Sequence, residues 1–221
     1  MRELFEVGPD ILERFLTRWY GPADRSPGVP VGVGGDAPRP LREWFELASR
    51  WSTPIMVQNR VLSSPRVEEG KLLFLVENQG VWVWAIDSVG DDPPVYDREN
   101  VQNRQWQPTG VPLSTFLLQV AVFEAVMGSS RGACACWVTP AQLDEILAPL
   151  RVLPMPDWRW PASGHRLYAA EGLLAFAGPN PGPDETAEQA TMRNVWVAAA
   201  ESRHLEYLTG IEGVEWDAFT V

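Results

Sequence analysis

Apolar side chains recur at helical spacing in two stretches of the N-terminal part of the chain. Residues 11–19 form the first stretch, with Asp10 placed to cap it and Gly21-Pro22 placed to end it. Residues 41–51 form the second, with apolar positions at i, i+3, i+4 and i+7 and charged positions opposite. We therefore predict two amphipathic helices, joined by a Gly/Pro-rich surface connection over residues 21–40.

The middle of the chain has the pattern of β-strands. Residues 72–77 and 81–86 flank Asn78-Gln79-Gly80, which predicts a hairpin. Both strands are apolar on both faces, so we expect them inside a sheet that is covered on each side. Residues 55–62 predict a further short strand, and residues 91–96 predict a turn or an edge segment because they contain Pro93-Pro94.

Two more helices are predicted in the second half of the chain. The first has Ser114 as its N-cap, is apolar on every face up to Met127, and is therefore expected to be buried. The second opens with the capping box Thr139-Pro140-Ala141-Gln142 and runs to about residue 150.

The remaining pattern completes an α+β fold. Residues 167–177 and 194–200 predict strands, and residues 202–208 predict a short helix. The order of elements predicts a single domain in which a central, mostly antiparallel sheet is flanked by helices. Within it we distinguish an N-terminal helix and linker (1–40), a central segment (40–127) and a C-terminal extension (128–221).

One internal similarity connects the central segment with the extension. Glu69-Gly70-Lys71-Leu72-Leu73 resembles Glu171-Gly172-Leu173-Leu174, and Val81-Trp82-Val83-Trp84-Ala85 resembles Val195-Trp196-Val197-Ala198-Ala199. Chance similarity between two hairpins of β-forming residues explains this. A duplicated unit that extends one continuous sheet explains it equally well.

Composition narrows the classes of partner. The 221 residues include 29 acidic and 18 basic residues, which gives a formal net charge of -11. An acidic surface repels phosphate, so we expect neither nucleic acid nor a membrane as partner. The N-terminal residues lack the apolar core of a signal peptide, and only two cysteines are present. Both observations predict a cytoplasmic protein.

Residues able to support catalysis are few. Cys134 and Cys136 are interpreted as small buried residues in a strand, because a bridge between them would be strained and a metal would need further ligands. A Cys–His dyad with His165 or His204 stays open, since such partners meet only in the fold. Residues 32–37 match a dinucleotide fingerprint, but prolines surround them where a strand and a helix are required. We predict no cofactor and no metal.

A series of short motifs in the central segment is more specific. It begins with Pro40-Leu41-Arg42-Glu43-Trp44-Phe45 and continues through Glu77-Asn78-Gln79-Gly80-Val81. Asp91-Asp92-Pro93-Pro94-Val95-Tyr96, Trp106 and Leu113-Ser114-Thr115-Phe116-Leu117 complete it. In this order, residues 40–127 resemble the SUKH superfamily, which contains the yeast cell-wall-assembly regulator and many bacterial toxin-immunity proteins.

The resemblance implies an α+β fold and a binding role, commonly the inhibition of a cognate toxin by direct contact. It carries no shared catalytic residues. Our leading hypothesis is therefore a non-catalytic protein-binding module, an immunity protein whose acidic surface suits a basic toxin domain. The alternatives are a regulatory or scaffold protein of the same fold without a toxin partner, and a hydrolase whose site is assembled only in the fold.

The candidate partner-binding residues are Asp91, Asp92 and Tyr96. The two aspartates precede Pro93-Pro94, and turn chemistry of this kind places side chains at the surface. Tyr96 closes the same segment. The sequence assigns no oligomeric state.

Overall fold

A computed structural model describes residues 1–6, 8, 10–26, 37–180, 186–187 and 189–220. Residues 32–36 of the dinucleotide fingerprint lie outside the described residues. The chain divides into two compact units, which we call the first-sheet unit (residues 16–124) and the second-sheet unit (residues 1–15 with 125–221). The single-domain organisation stays a prediction.

The α+β class is confirmed. The helices are α1 (Ile11–Tyr20), α2 (Arg39–Ala48), α3 (Leu113–Met127) and α4 (Pro140–Leu147), with short 3-10 helices at Arg2–Phe5, Gln189–Thr191 and Ser202–Gly210. Among the described residues, no helix has both the length and the apolar character needed to cross a bilayer.

Five antiparallel strands form a simple meander in the first-sheet unit, in the order β1-β2-β3-β4-β5. Aromatic rings cover one face of this sheet. Phe116 of α3 lies 6.0 Å from Phe74 and 6.2 Å from Trp84, measured between ring centroids, and all three side chains are buried. The strands are β1 (Asn59–Glu68), β2 (Lys71–Glu77), β3 (Trp82–Ile86), β4 (Pro94–Glu99) and β5 (Gln107–Pro112).

Prolines occur on both outer strands of this sheet. Pro65 lies in β1, where the pairing with β2 is irregular, and Pro108 and Pro112 lie in β5. Residues 91–96 were expected to form a turn or an edge segment. Residues 91–93 lie in the loop, but β4 begins at Pro94 and pairs with β3 on one side and β5 on the other, so the edge prediction is wrong. Proline is compatible with this place because Pro94 is the first residue of its strand.

A buried carboxylate fixes the point at which β1 begins. Glu124 of α3 is fully buried, and its Oε2 accepts hydrogen bonds from the backbone N–H groups of Val57 and Gln58, each at 2.7 Å. Its Oε1 accepts from the N–H of Asn59 at 2.8 Å. Burial raises the pKa of Glu124, and these bonds oppose the rise. The strand predicted from residue 55 therefore starts only at Asn59.

A second sheet holds the strands of the second-sheet unit, in the order β11-β6-β10-β9-β8-β7. One face of it packs on α4 and on the helix Ser202–Gly210, with Ile146, Leu205 and Leu208 fully buried. The capping box of Thr139 and Gln142 is confirmed at the start of α4. The strands are β6 (Gly132–Val138), β7 (Arg151–Val152), β8 (Arg166–Ala170), β9 (Leu173–Pro179), β10 (Arg193–Ala199) and β11 (Ala218–Thr220).

The internal similarity corresponds to a shared local topology. Glu69-Gly70 turns β1 into β2, and Glu171-Gly172 turns β8 into β9, so the predicted strand over residues 167–177 is a hairpin. In each sheet the similar Val-Trp-Val segment lies in the next strand along. In the described chain, however, the two sets of strands pair in separate sheets. The interpretation of one continuous sheet extended by a C-terminal half is wrong.

Replacing Glu124 by Gln tests the role of its carboxylate. The amide offers one acceptor oxygen, so its NH2 group faces a backbone N–H and leaves that donor unpaired. We expect the free energy of unfolding to fall by about 1–3 kcal/mol, as measured by urea unfolding. The control is Glu43→Gln, since Glu43 is exposed and forms an ion pair with Arg39 at 3.3 Å on α2. Equal stability of Glu124→Gln and wild type would contradict this role.

Candidate functional site

Two connections meet at one end of the first sheet, because an antiparallel meander returns to the same end after every second strand. The β1–β2 turn brings Glu68 and Glu69, and the β3–β4 loop brings Asp87, Asp91 and Asp92. We call these five acidic residues and the two connections that carry them the acidic end. It includes both aspartates predicted from the sequence, and Tyr96 lies beside it on β4.

Lys71 connects the two parts of the acidic end. Its Nζ donates a hydrogen bond to Asp87 Oδ1 at 2.5 Å and lies 3.6 Å from the centroid of the Tyr96 ring. The Tyr96 hydroxyl donates to Asp87 Oδ2 at 3.1 Å. Hydrogen bonding to Asp87 raises the pKa of Lys71, so this amine is a cation at neutral pH. The start of the β3–β4 loop is thereby fixed to β2 and β4.

The far side of the same loop is fixed by Asp92. Its Oδ1 accepts from the backbone N–H of Ser114 at 2.8 Å, and its Oδ2 accepts from the Ser114 hydroxyl at 2.6 Å. Ser114 was predicted to be the N-cap of α3, but it is the second residue of that helix. The cap comes from Asp92 instead, across 22 residues of sequence. Both oxygens of the Asp92 carboxylate thus accept hydrogen bonds within the fold, although the residue is exposed.

Exposed apolar side chains lie among these acids. Val89, in the middle of the β3–β4 loop, is 84% exposed, and Val67, next to the β1–β2 turn, is 72% exposed. Asp91 is exposed as well. Two exposed valines thus stand close in sequence to the carboxylates of the acidic end, which gives this end both apolar and charged exposed side chains.

The buried Arg98 neutralises part of the negative charge of the acidic end. It extends from β4 to a hydrogen-bonded ion pair with Glu68 on β1, lies 3.5 Å from Glu69, and is only 5% exposed. Its guanidinium also lies 4.4 Å from the Trp106 ring centroid. The charge of Glu68 is therefore balanced within the fold, whereas the Asp91 carboxylate projects into solvent.

The cysteines lie in a strand, as predicted, but each is only half-buried, so the prediction that they are buried is wrong. Neither forms a disulfide. Burial and the neighbouring carboxylate of Asp217 raise the pKa of Cys136 to about 11, and burial raises that of Cys134. An activated nucleophile requires the opposite shift. Among the described residues, no group of three or more His, Cys, Asp or Glu side chains could hold a metal ion.

His165 is fully buried in the second-sheet unit. Its Nδ1 lies 2.6 Å from the carbonyl oxygen of Ala162, its Nε2 lies 2.8 Å from Asn194 Oδ1, and its ring stacks on Phe176 at 4.8 Å. A side chain at Gly178 would overlap the ring, since an added Cβ would lie 2.5 Å from His165 Cγ. Both ring nitrogens thus face structural partners. His204 lies over the turn at Gly172.

No family model matches the chain, and comparisons with curated proteins and with solved structures find no significant match. The functional assignment therefore depends on the residues and their geometry.

The buried imidazole predicts a pH dependence of stability. Burial lowers the pKa of His165 below its ordinary value of 6.5. Its contribution to the free energy of unfolding is therefore complete above pH 6.5 and is lost as the pH falls through the lowered folded-state pKa. Between about pH 7 and about pH 5, we expect wild type to lose more stability in urea unfolding than His165→Gln, which cannot titrate there. Equal losses in the two proteins would refute this.

The two aspartates of the loop are expected to behave differently. Asp92→Ala removes the cap of α3 and should lower the free energy of unfolding by about 1 kcal/mol. Asp91→Ala should change it by less than about 0.5 kcal/mol, because the Asp91 side chain is exposed. Thermal unfolding of the two variants beside wild type measures the difference. A larger loss for Asp91→Ala than for Asp92→Ala would show that the capping role is assigned to the wrong residue.

Proposed function

We propose that this chain is a non-catalytic protein-binding module of the SUKH type, which neutralises a basic bacterial toxin by binding it at the acidic end. The observation that carries the proposal is the presence of two highly exposed valines, Val67 and Val89, at the same end of the sheet as five acidic residues. Apolar contact supplies affinity when it is buried in a complex, and the surrounding charge selects a partner of opposite sign.

The fixed geometry of the β3–β4 loop supports this role. Asp87 is held by Lys71 and Tyr96, and Asp92 is held by Ser114, so Val89 and Asp91 are presented between two anchors. A loop that is ordered before binding loses less conformational entropy in the complex than a free loop does. The arrangement favours a binding surface over an ordinary solvent-exposed turn.

The charge of the whole chain supports a basic partner. A net charge of -11 attracts a cationic protein over a distance of about 10 Å at ordinary ionic strength, and such steering accelerates association. The two unbridged cysteines support a location in the reducing cytoplasm, where an immunity protein would meet a toxin made in the same cell.

Co-expression with the product of a neighbouring reading frame tests the function. We expect that product to arrest growth, the chain to restore growth, and the purified pair to bind more weakly as salt is raised. A neighbouring product without toxicity, or a toxin that the chain does not bind, contradicts the immunity role and favours a scaffold protein of the same fold.

Variants of the acidic end test the surface. Val89→Asp and Asp91→Lys should each weaken binding about tenfold or more, since about 1.4 kcal/mol corresponds to tenfold. The control is Glu206→Lys, which makes the same change in net charge as Asp91→Lys at an exposed position of the second-sheet unit. Binding measured by calorimetry should be nearly unchanged in the control. Equal losses for Asp91→Lys and Glu206→Lys would refute the assignment of this surface.

A further inference from the structure

Asp87 and the ring of Tyr96 lie next to one another at the edge of the acidic end, and both contact the Lys71 ammonium. The Tyr96 ring supplies the negative face of an aromatic system, and Asp87 Oδ1 supplies a charged acceptor beside it. A cation occupies this position already, since Lys71 Nζ is 3.6 Å from the ring centroid and 2.5 Å from the carboxylate oxygen. Lys71 is the only lysine of the chain.

The placement of the Tyr96 ring beside Asp87 does not depend on Lys71. Tyr96 pairs with Ala85 across β3 and β4, and Ile86 pairs with Val95, so backbone register brings the Tyr96 ring and Asp87 together. The Tyr96 hydroxyl binds Asp87 Oδ2, which leaves Oδ1 directed to the cation. Removal of Lys71 therefore leaves an oriented carboxylate and an aromatic face.

Another cation can reach the position of the Lys71 ammonium from solvent. The Asp87 side chain is 38% exposed and that of Lys71 is 21% exposed, so the site is reached from solvent. A lysine ammonium lies on a flexible four-carbon stem, and it can turn away without movement of β2. The site is on the same loop as Val89 and Asp91.

We propose that Asp87 and Tyr96 are a cation-binding site which Lys71 fills in the free protein and which a lysine or arginine of the basic partner fills in the complex. The exchange step rests on the proposed function, whereas the cation site itself does not. Lys71 then competes with the partner for the site and holds the carboxylate neutralised until the partner arrives. Its loss should strengthen binding of the partner.

Chemical rescue tests the cation site in the full-length chain without any partner. Lys71→Ala empties the site, and n-propylammonium is the probe that refills it. We expect the melting temperature of Lys71→Ala to rise by about 2–3 °C in propylammonium chloride above its value in sodium chloride of equal ionic strength. The double variant Lys71→Ala/Asp87→Asn should show no such difference.

The outcomes separate the two proposals. Equal propylammonium responses of the single and double variants overturn the cation site and leave the proposed function untouched. If Lys71→Ala does not fold, Lys71→Met replaces it in both the single and the double variant. Methionine fills the place of the lysine stem and removes only the ammonium, so the probe is then the ammonium ion in place of n-propylammonium. With the partner in hand, Lys71→Met should bind several-fold more tightly than wild type, and Asp87→Asn more weakly. Weaker binding by Lys71→Met overturns the exchange. Failure of the co-expression experiment overturns the proposed function together with the exchange that rests on it, and leaves the cation site standing.

Discussion

Carboxylates bound to backbone N–H groups determine the shape of the first-sheet unit. Glu124 takes three such groups at residues 57–59 and sets where β1 begins. Glu77, 1% exposed, accepts from the N–H groups of Gln79 at 2.8 Å and Val81 at 3.4 Å and shapes the β2–β3 turn. Asp92 does the same for the first turn of α3. Burial of Glu124 and Glu77 costs desolvation energy that these donors help to offset, so the backbone path and the positions of the two acids depend on one another. The acidic composition is in part a requirement of the fold.

The spacing of apolar residues predicted the helices and strands that bury one face or both faces. The helices α1 and α2 and the hairpin of β2 and β3 follow from spacing alone, because packing and local preference agree there. Residues 107–112 were missed, since proline, threonine and glycine there lack an apolar pattern and the strand is defined only by its pairing with β4. The hairpin at Gly172 was read as one strand because apolar residues follow the turn without a break. Pairing with residues outside a local window therefore decides β5, whereas the turn at Gly172 is local and was hidden by the apolar residues after it.

The candidate site was predicted in part. Turn chemistry located Asp91 and Asp92 at the surface, but it could not distinguish an aspartate that caps a helix 22 residues away from one directed to solvent. Lys71 and Asp87 were not predicted, since they are 16 residues apart and meet only through the register of β2 and β3. A single lysine in an arginine-rich chain was the one signal available in the sequence. Its significance became clear only from the Tyr96 ring beneath it.

The prolines on the outer strands of the first sheet determine how this unit can meet another protein. Pro65 in β1 and Pro108 and Pro112 in β5 have no N–H to offer, so a foreign strand cannot extend the ladder along their full length. The binding proposed for the acidic end accordingly uses side chains on the connections and not shared main-chain bonds. Main-chain hydrogen bonds can form with almost any extended peptide, whereas the specificity of side-chain contacts changes with single substitutions. In a sheet whose outer strands carry prolines, substitution of a few loop residues can therefore change the binding specificity without changing the fold.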